Sequence, residues 1–174
     1  MNQNTARLPI MAFFVLFAAM TCSAQVASFS DANVNYVFDL PDARWKMTVK
    51  PSAASPNVEY VYVERNEGHF DVRKMPLARN AILSDVIRGE EQKQQFRPGY
   101  VAGKEENFGG FLKGAVFNFE YVRGGRPMTG RFYFLNAGDG SVYLLRFTGF
   151  RDKLKSIRNQ TDSIARTFKL RKKL

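Results

Sequence analysis

Apolar and polar residues alternate with a period of two along most of this chain, and that pattern predicts strands. Tyr36-Val37-Phe38-Asp39-Leu40 is a short strand stopped by Pro41, and Trp45–Val49 is another that ends before Pro51. Residues 51–57 (Pro-Ser-Ala-Ala-Ser-Pro-Asn) have loop composition. Val58–Glu64 carries β-branched and aromatic residues on both faces, which predicts a central strand. Glu67-Gly68 is expected to turn the chain into His69–Met75. Further on, Ala115, Phe117, Phe119 and Tyr121 alternate with Val116, Asn118, Glu120 and Val122. Gly124-Gly125 supplies the positive φ of a two-residue hairpin turn. Arg131–Leu135 returns, 137–140 (Ala-Gly-Asp-Gly) turns again, and Val142–Thr148 completes a meander.

Two segments switch to helical spacing. Residues 76–98 are predicted to hold a first helix, with Ser84 as N-cap, Asp85 in the first turn and Pro98-Gly99 as the stop. Phe150, Leu154, Ile157, Thr161, Ile164 and Phe168 follow spacings of three and four, one face of a second helix. That stripe is read as core, and the opposite side carries Lys153, Lys155, Arg158, Asp162 and Arg166.

The first residues follow a different logic. Arg7 is the only charge before Asp31, and an apolar run from Leu8 to Met20 leads to Thr21-Cys22-Ser23-Ala24. A basic start, a short apolar run and small residues at its end form the pattern of a secretory signal peptide. The run is short for a bilayer span, which takes roughly 20 apolar residues. Cleavage is expected after Ala24, with lipid attachment at Cys22 or an uncleaved anchor as the alternatives. Residues 25–34 are small and polar and read as a flexible leader. Residues 35–170 then form a single α+β domain, and 171–174 a basic tail. The expected location is periplasmic or secreted.

Composition narrows the chemistry. One His and one Cys in 174 residues argue against a Cys/His metal cluster, a disulfide framework or a His-dependent triad. The net charge is +10, and loss of residues 1–24 with Arg7 leaves +9. Export argues against nucleic acid as the partner of this charge and favours an acidic protein or an anionic envelope surface, with peripheral membrane contact allowed. Eight basic residues (Lys153, Lys155, Arg158, Arg166, Lys169, Arg171, Lys172 and Lys173) face only Asp152 and Asp162 over 152–174, which concentrates +6 at the C-terminus. These eight are the candidate partner-binding residues.

Other candidates carry less. His69 shares a strand face with Asp71 but is read as a surface or hairpin-end residue. Glu90-Glu91 and Glu105-Glu106 are adjacent, so each pair points apart and reads as solvated. The stretch 136–141 (Asn-Ala-Gly-Asp-Gly-Ser) is oxygen-rich but lacks the closing acid of a calcium loop, and reads as turn chemistry. No glycine pair leads into a predicted helix as a phosphate loop does. No nucleophile, base and orienting group are placed together, so neither an enzyme, a cofactor nor a metal is expected.

Element order and a few anchors carry one resemblance. The opening Tyr36-Val37-Phe38-Asp39-Leu40-Pro41 with Trp45 beyond it, and the closing Asp162–Lys169 helix after Val142-Tyr143-Leu144-Leu145, resemble the PsbP/DcrB-like α/β/α sandwich family over roughly Asn35–Leu170. The resemblance implies an antiparallel β-sheet flanked by helices. It also implies binding and assembly-supporting modules, many of them exported, without shared catalytic residues, so no site residue carries over. The expected function is an exported, non-enzymatic module docking through its basic C-terminal helix. The alternative is a small-molecule or lipid carrier with an aromatic pocket between sheet and helix, lined by Phe117, Phe119, Phe132, Phe134 and Phe147.

Overall fold

A computed structural model describes residues 27–171; the expected signal peptide over 1–24, with Cys22, and the tail residues Lys172 and Lys173 lie outside the described residues. Ten strands and three helices follow in the order β1 (Ala27–Ser30), β2 (Tyr36–Leu40), β3 (Trp45–Val49), β4 (Val58–Tyr62), β5 (Glu64–Pro76), α1 (Leu83–Gln95), β6 (Val101–Gly109), β7 (Lys113–Arg123), β8 (Arg126–Asn136), β9 (Ser141–Phe150), α2 (Arg151–Ser156), α3 (Arg158–Thr167) and β10 (Lys169–Leu170). A seven-stranded antiparallel sheet has the order β3-β4-β5-β9-β8-β7-β6, and a three-stranded one the order β1-β2-β10.

Period-two alternation places two different cores on the two faces of the large sheet. On one face Phe70, Val72, Tyr133, Leu145 and Phe147 meet Phe29, Tyr36 and Phe38 of the small sheet and Leu154, Ile157, Ile164 and Phe168 of α2 and α3. The rings of Phe70 and Phe147 stack with centroids 4.4 Å apart, and Phe38 meets Phe70 edge-on at 5.3 Å. On the other face Phe117, Phe119, Phe132, Phe134 and Leu144 pack under Ile87 of α1. The result is an α+β sandwich with helices on both faces.

Several boundaries differ from the sequence reading. The expected leader over 25–34 contains β1, which pairs with β2 and buries Phe29. A four-residue strand with one apolar anchor is too short for periodicity to reveal. Glu67-Gly68 do not end a strand: β5 continues through both, and its register to β4 shifts there, from Val61 opposite His69 to Tyr62 opposite Glu64. The chain turns at Val63, whose φ of 57° lies in the left-handed region. The strand β6, missed between the first helix and the meander, is an edge strand with only Phe108 buried, so it has no apolar face to read.

The first helix starts at Leu83, and its N-cap is Ile82 rather than Ser84. The Asp85 carboxylate accepts the Ile82 N–H at 3.0 Å, capping from inside the first turn. The single C-terminal helix is two, broken at Ile157 (φ −105°, ψ 17°); Leu154, Ile157, Thr161, Ile164 and Phe168 of its stripe are core as expected, but Phe150 ends β9 and packs, partly buried, against the α1-side core instead. The glycine turn is as read: Gly124 and Gly125 both take positive φ between Arg123 and Arg126, which pair.

Candidate interaction surface

The C-terminal basic residues start from a helix pair whose apolar side is fully committed. Leu154, Ile157, Thr161, Ile164 and Phe168 are buried, so the basic residues must point outward or sideways. The structure sorts them into separate groups.

Three are paired with acids from distant strands. Lys155 Nζ lies 2.8 Å from Glu120 of β7, which Arg151 also approaches at 3.3 Å. The hydrogen bond from Lys155, joined by that from Arg151, holds the Glu120 carboxyl below its ordinary value. Lys153 lies 3.6 Å from Glu67, and Arg158 lies 3.7 Å from Glu106. Much of the charge that the sequence concentrates at the C-terminus is therefore answered by acids elsewhere.

Arg171 acts as a clasp. Its N–H donates to Asn35 O at 2.8 Å, and its guanidinium donates to the carbonyls of Asp31 (2.5 Å) and Val34. It ties the chain end beside β10 to the loop between β1 and β2.

Arg166 and Lys169 make no ion pair among the described residues, and both are exposed. Beside them sits Phe111, with 66% of its surface open to solvent. Phe111 belongs to the β6–β7 turn, and its N–H donates to Arg166 O at 3.1 Å. Gly110 makes this approach possible: a Cβ there would stand 2.8 Å from Arg166 Cα. The Lys169 ammonium lies 5.0 Å from the Phe111 ring centroid, within cation–π reach. An exposed aromatic ring with one cation over it and a second exposed basic residue in the adjoining backbone has the composition of a protein-docking patch. Sequence reasoning missed Phe111, because an aromatic residue that follows a glycine pair in a turn belongs to no periodic pattern; Gly109-Gly110 just before it was the available signal.

A groove of about 320 Å³ separates β6 and β7 from the helix pair, walled by Gly103, Asn118, Thr129, Leu154, Lys155 and Arg158. Its floor holds Arg131, 7% exposed. Arg131 donates to Asp162 at 2.7 Å, Asn118 at 2.7 Å and the Tyr133 hydroxyl at 2.6 Å. Burial works against its charge, but the neighbouring Tyr133 and Asp162 hold its pKa above the ordinary guanidinium value. The Tyr133 hydroxyl also meets Thr161 at 2.9 Å and Asp162. With each side-chain nitrogen of Arg131 bonded to a partner, this cluster fastens α3 to the sheet.

Other expectations need correction. His69 is not at the surface or at a hairpin end: it lies within β5, 9% exposed, with Nε2 2.9 Å from Glu59. Glu90 is buried rather than solvated, since α1 turns its Ile87–Glu90–Gln94 side to the sheet, and it pairs with Lys93. The five phenylalanines expected to line one pocket do not share a face. Phe117, Phe119, Phe132 and Phe134 lie under α1, Phe147 lies under α2 and α3, and each is at most 4% exposed. They fill the two cores.

No family model matches the chain, and no curated relative matches it. Solved structures do. A protein of unknown function from Pseudomonas aeruginosa is 17% identical with a TM-score of 0.53, over 85% of this chain and 99% of that one. The cyanobacterial PsbP of Synechocystis is 15% identical with a TM-score of 0.57, over 87% and 95%. LpqN, involved in cell envelope biogenesis of Mycobacterium tuberculosis, is 14% identical with a TM-score of 0.54, over 84% and 92%. At these identities the likeness is one of fold, and it covers nearly the whole of each structure. This chain therefore has the PsbP-like α+β fold.

Proposed function

We propose that this protein is an exported, non-enzymatic binding module that docks an acidic protein surface through Arg166, Lys169 and Phe111. The observation that carries the reading is the position of exposed Phe111 beside Arg166 and Lys169, two exposed basic residues of the C-terminal segment that have no acidic partner among the described residues. Export rests on the signal-peptide pattern of residues 1–24. The similar fold of LpqN, a protein of envelope biogenesis, supports an envelope setting.

An acidic protein fits this patch better than a lipid surface. Two free cations contribute only about 2 kcal/mol at an anionic bilayer. An exposed phenylalanine held in place by backbone is, by contrast, of the residue type enriched at protein–protein interfaces. Phe111→Ser tests the reading in the full-length exported protein. Loss of an acidic partner captured from envelope extract, with the melting temperature unchanged, is the expected result. Unchanged capture, or wild-type binding to anionic vesicles in place of any protein, contradicts it.

A further inference from the structure

On the sheet face opposite α2 and α3, beyond the edge of α1, lies a second cleft of about 180 Å³. Its floor is polar and built into the sheet. His69 and Asp71 of β5 are 9% and 4% exposed there, opposite Thr148 and Arg146 of β9 in the strand register. Arg146 forks onto Asp71, with Nε and Nη2 each 2.9 Å from a carboxylate oxygen, while 20% of its side chain stays open.

Three more arginines form the rim: Arg65, Arg97 and Arg123. Arg65 leans 3.6 Å from Glu59, which already holds His69. Arg97 and Arg123 have no carboxylate partner among the described residues. Neutral groups fix them instead. Arg97 donates to the Gln94 amide at 2.7 Å and lies 4.5 Å over the Tyr121 ring; Arg123 donates to the Asn66 amide at 2.5 Å. Four guanidinium groups thus line a cleft in which Asp71 is the one acid among the described lining residues, with Glu59 behind Arg65 and His69, and Arg73 also draws on Asp71 at 3.3 Å. Holding like charges together in fixed directions is unfavourable unless an anion completes the set. Planar guanidinium forks match tetrahedral oxyanions. The cleft is below the roughly 300–1,000 Å³ of drug-sized ligand sites, which suits a small anionic group.

We propose that this cleft binds a phosphate group, free or as a phosphomonoester, between Arg97, Arg123 and Arg146. The site is separate from the docking surface and lies on the other face of the sheet.

The probe is inorganic phosphate, titrated into the full mature protein by calorimetry with chloride at constant ionic strength. Saturable binding at one site per chain is expected. Arg97→Gln combined with Arg123→Gln is expected to weaken it at least about tenfold, the loss of two charge-assisted contacts. Arg146 is left intact, because its removal would strand the buried Asp71. The variant Arg166→Glu/Lys169→Glu should bind phosphate like wild type. Phosphatidic acid vesicles distinguish the source: competition with inorganic phosphate identifies a lipid phosphomonoester, and its absence with intact phosphate binding identifies a soluble one. No saturable heat, or equal affinity in the Arg97/Arg123 variant, overturns the proposal.

Discussion

Arg131 of β8 and Asp162 of α3 form an ion pair at 2.7 Å beneath the groove, and it is the most buried of the ion pairs that join the C-terminal helices to the large sheet among the described residues. Tyr133, Thr161 and Asn118 complete its hydrogen bonds. Removing one partner leaves a nearly buried guanidinium unanswered, which costs far more than the pair contributes net. Asp162→Ala is expected to destabilise the protein by about 2–3 kcal/mol, measured by urea unfolding. Arg131→Met with Asp162→Leu should restore part of that loss.

Buried tyrosines set an alkaline limit. Burial pushes the Tyr60 hydroxyl up to about 12, and it raises Tyr36 and Tyr133 as well. A group whose folded pKa lies above its unfolded value of 10 stabilises the fold fully below pH 10, and that contribution falls as pH rises through the folded value. The melting temperature should therefore drop steeply above pH 10, with phenolate absorbance from these rings appearing together with unfolding. Smooth phenolate titration in the folded protein would contradict this.

Val63 holds a left-handed conformation (φ 57°) that β-branched residues adopt only under strain, and it is half exposed. Its side chain gives little burial in return. Val63→Gly is expected to raise stability by up to about 1 kcal/mol, the relief of strain exceeding the added unfolded-state entropy. A loss in urea unfolding would contradict it.

Gly110 sets where Phe111 stands. A Cβ at 110 meets backbone, which cannot move aside as a side chain can: Arg166 Cα at 2.8 Å and Arg166 O at 2.9 Å. Gly110→Ala should displace the β6–β7 turn and break the Phe111 N–H to Arg166 bond. Faster amide exchange at Phe111, with the Phe108–Tyr133 core unchanged, is the expected signature.

Much of the fold was legible because its central strands and final helix carry unbroken periods. Phe117/Phe119 against Phe132/Phe134 and the Leu154–Phe168 stripe needed only spacing to be placed. Short or edge elements were not, since Phe29 in β1 and Phe108 in β6 are single apolar anchors without a pattern. The candidate site was legible only as a charge excess. Which cations remain free depends on acids far away in sequence: Glu120 reaches Lys155 across 35 residues and Glu106 reaches Arg158 across 52. The phosphate cleft draws on Arg65, Arg97, Arg123 and Arg146, which no local motif connects.

The central claim separates Arg166 and Lys169 from the paired cations of the same helices. Salt-dependent capture of the envelope partner by full-length variants tests it most directly. Arg166→Glu/Lys169→Glu should abolish capture at low salt with the fold intact, while Lys153→Glu/Arg158→Glu, which alters cations already paired with Glu67 and Glu106, should retain most of it. Equal loss in both variants, or capture that survives the Arg166/Lys169 reversal, would contradict the account.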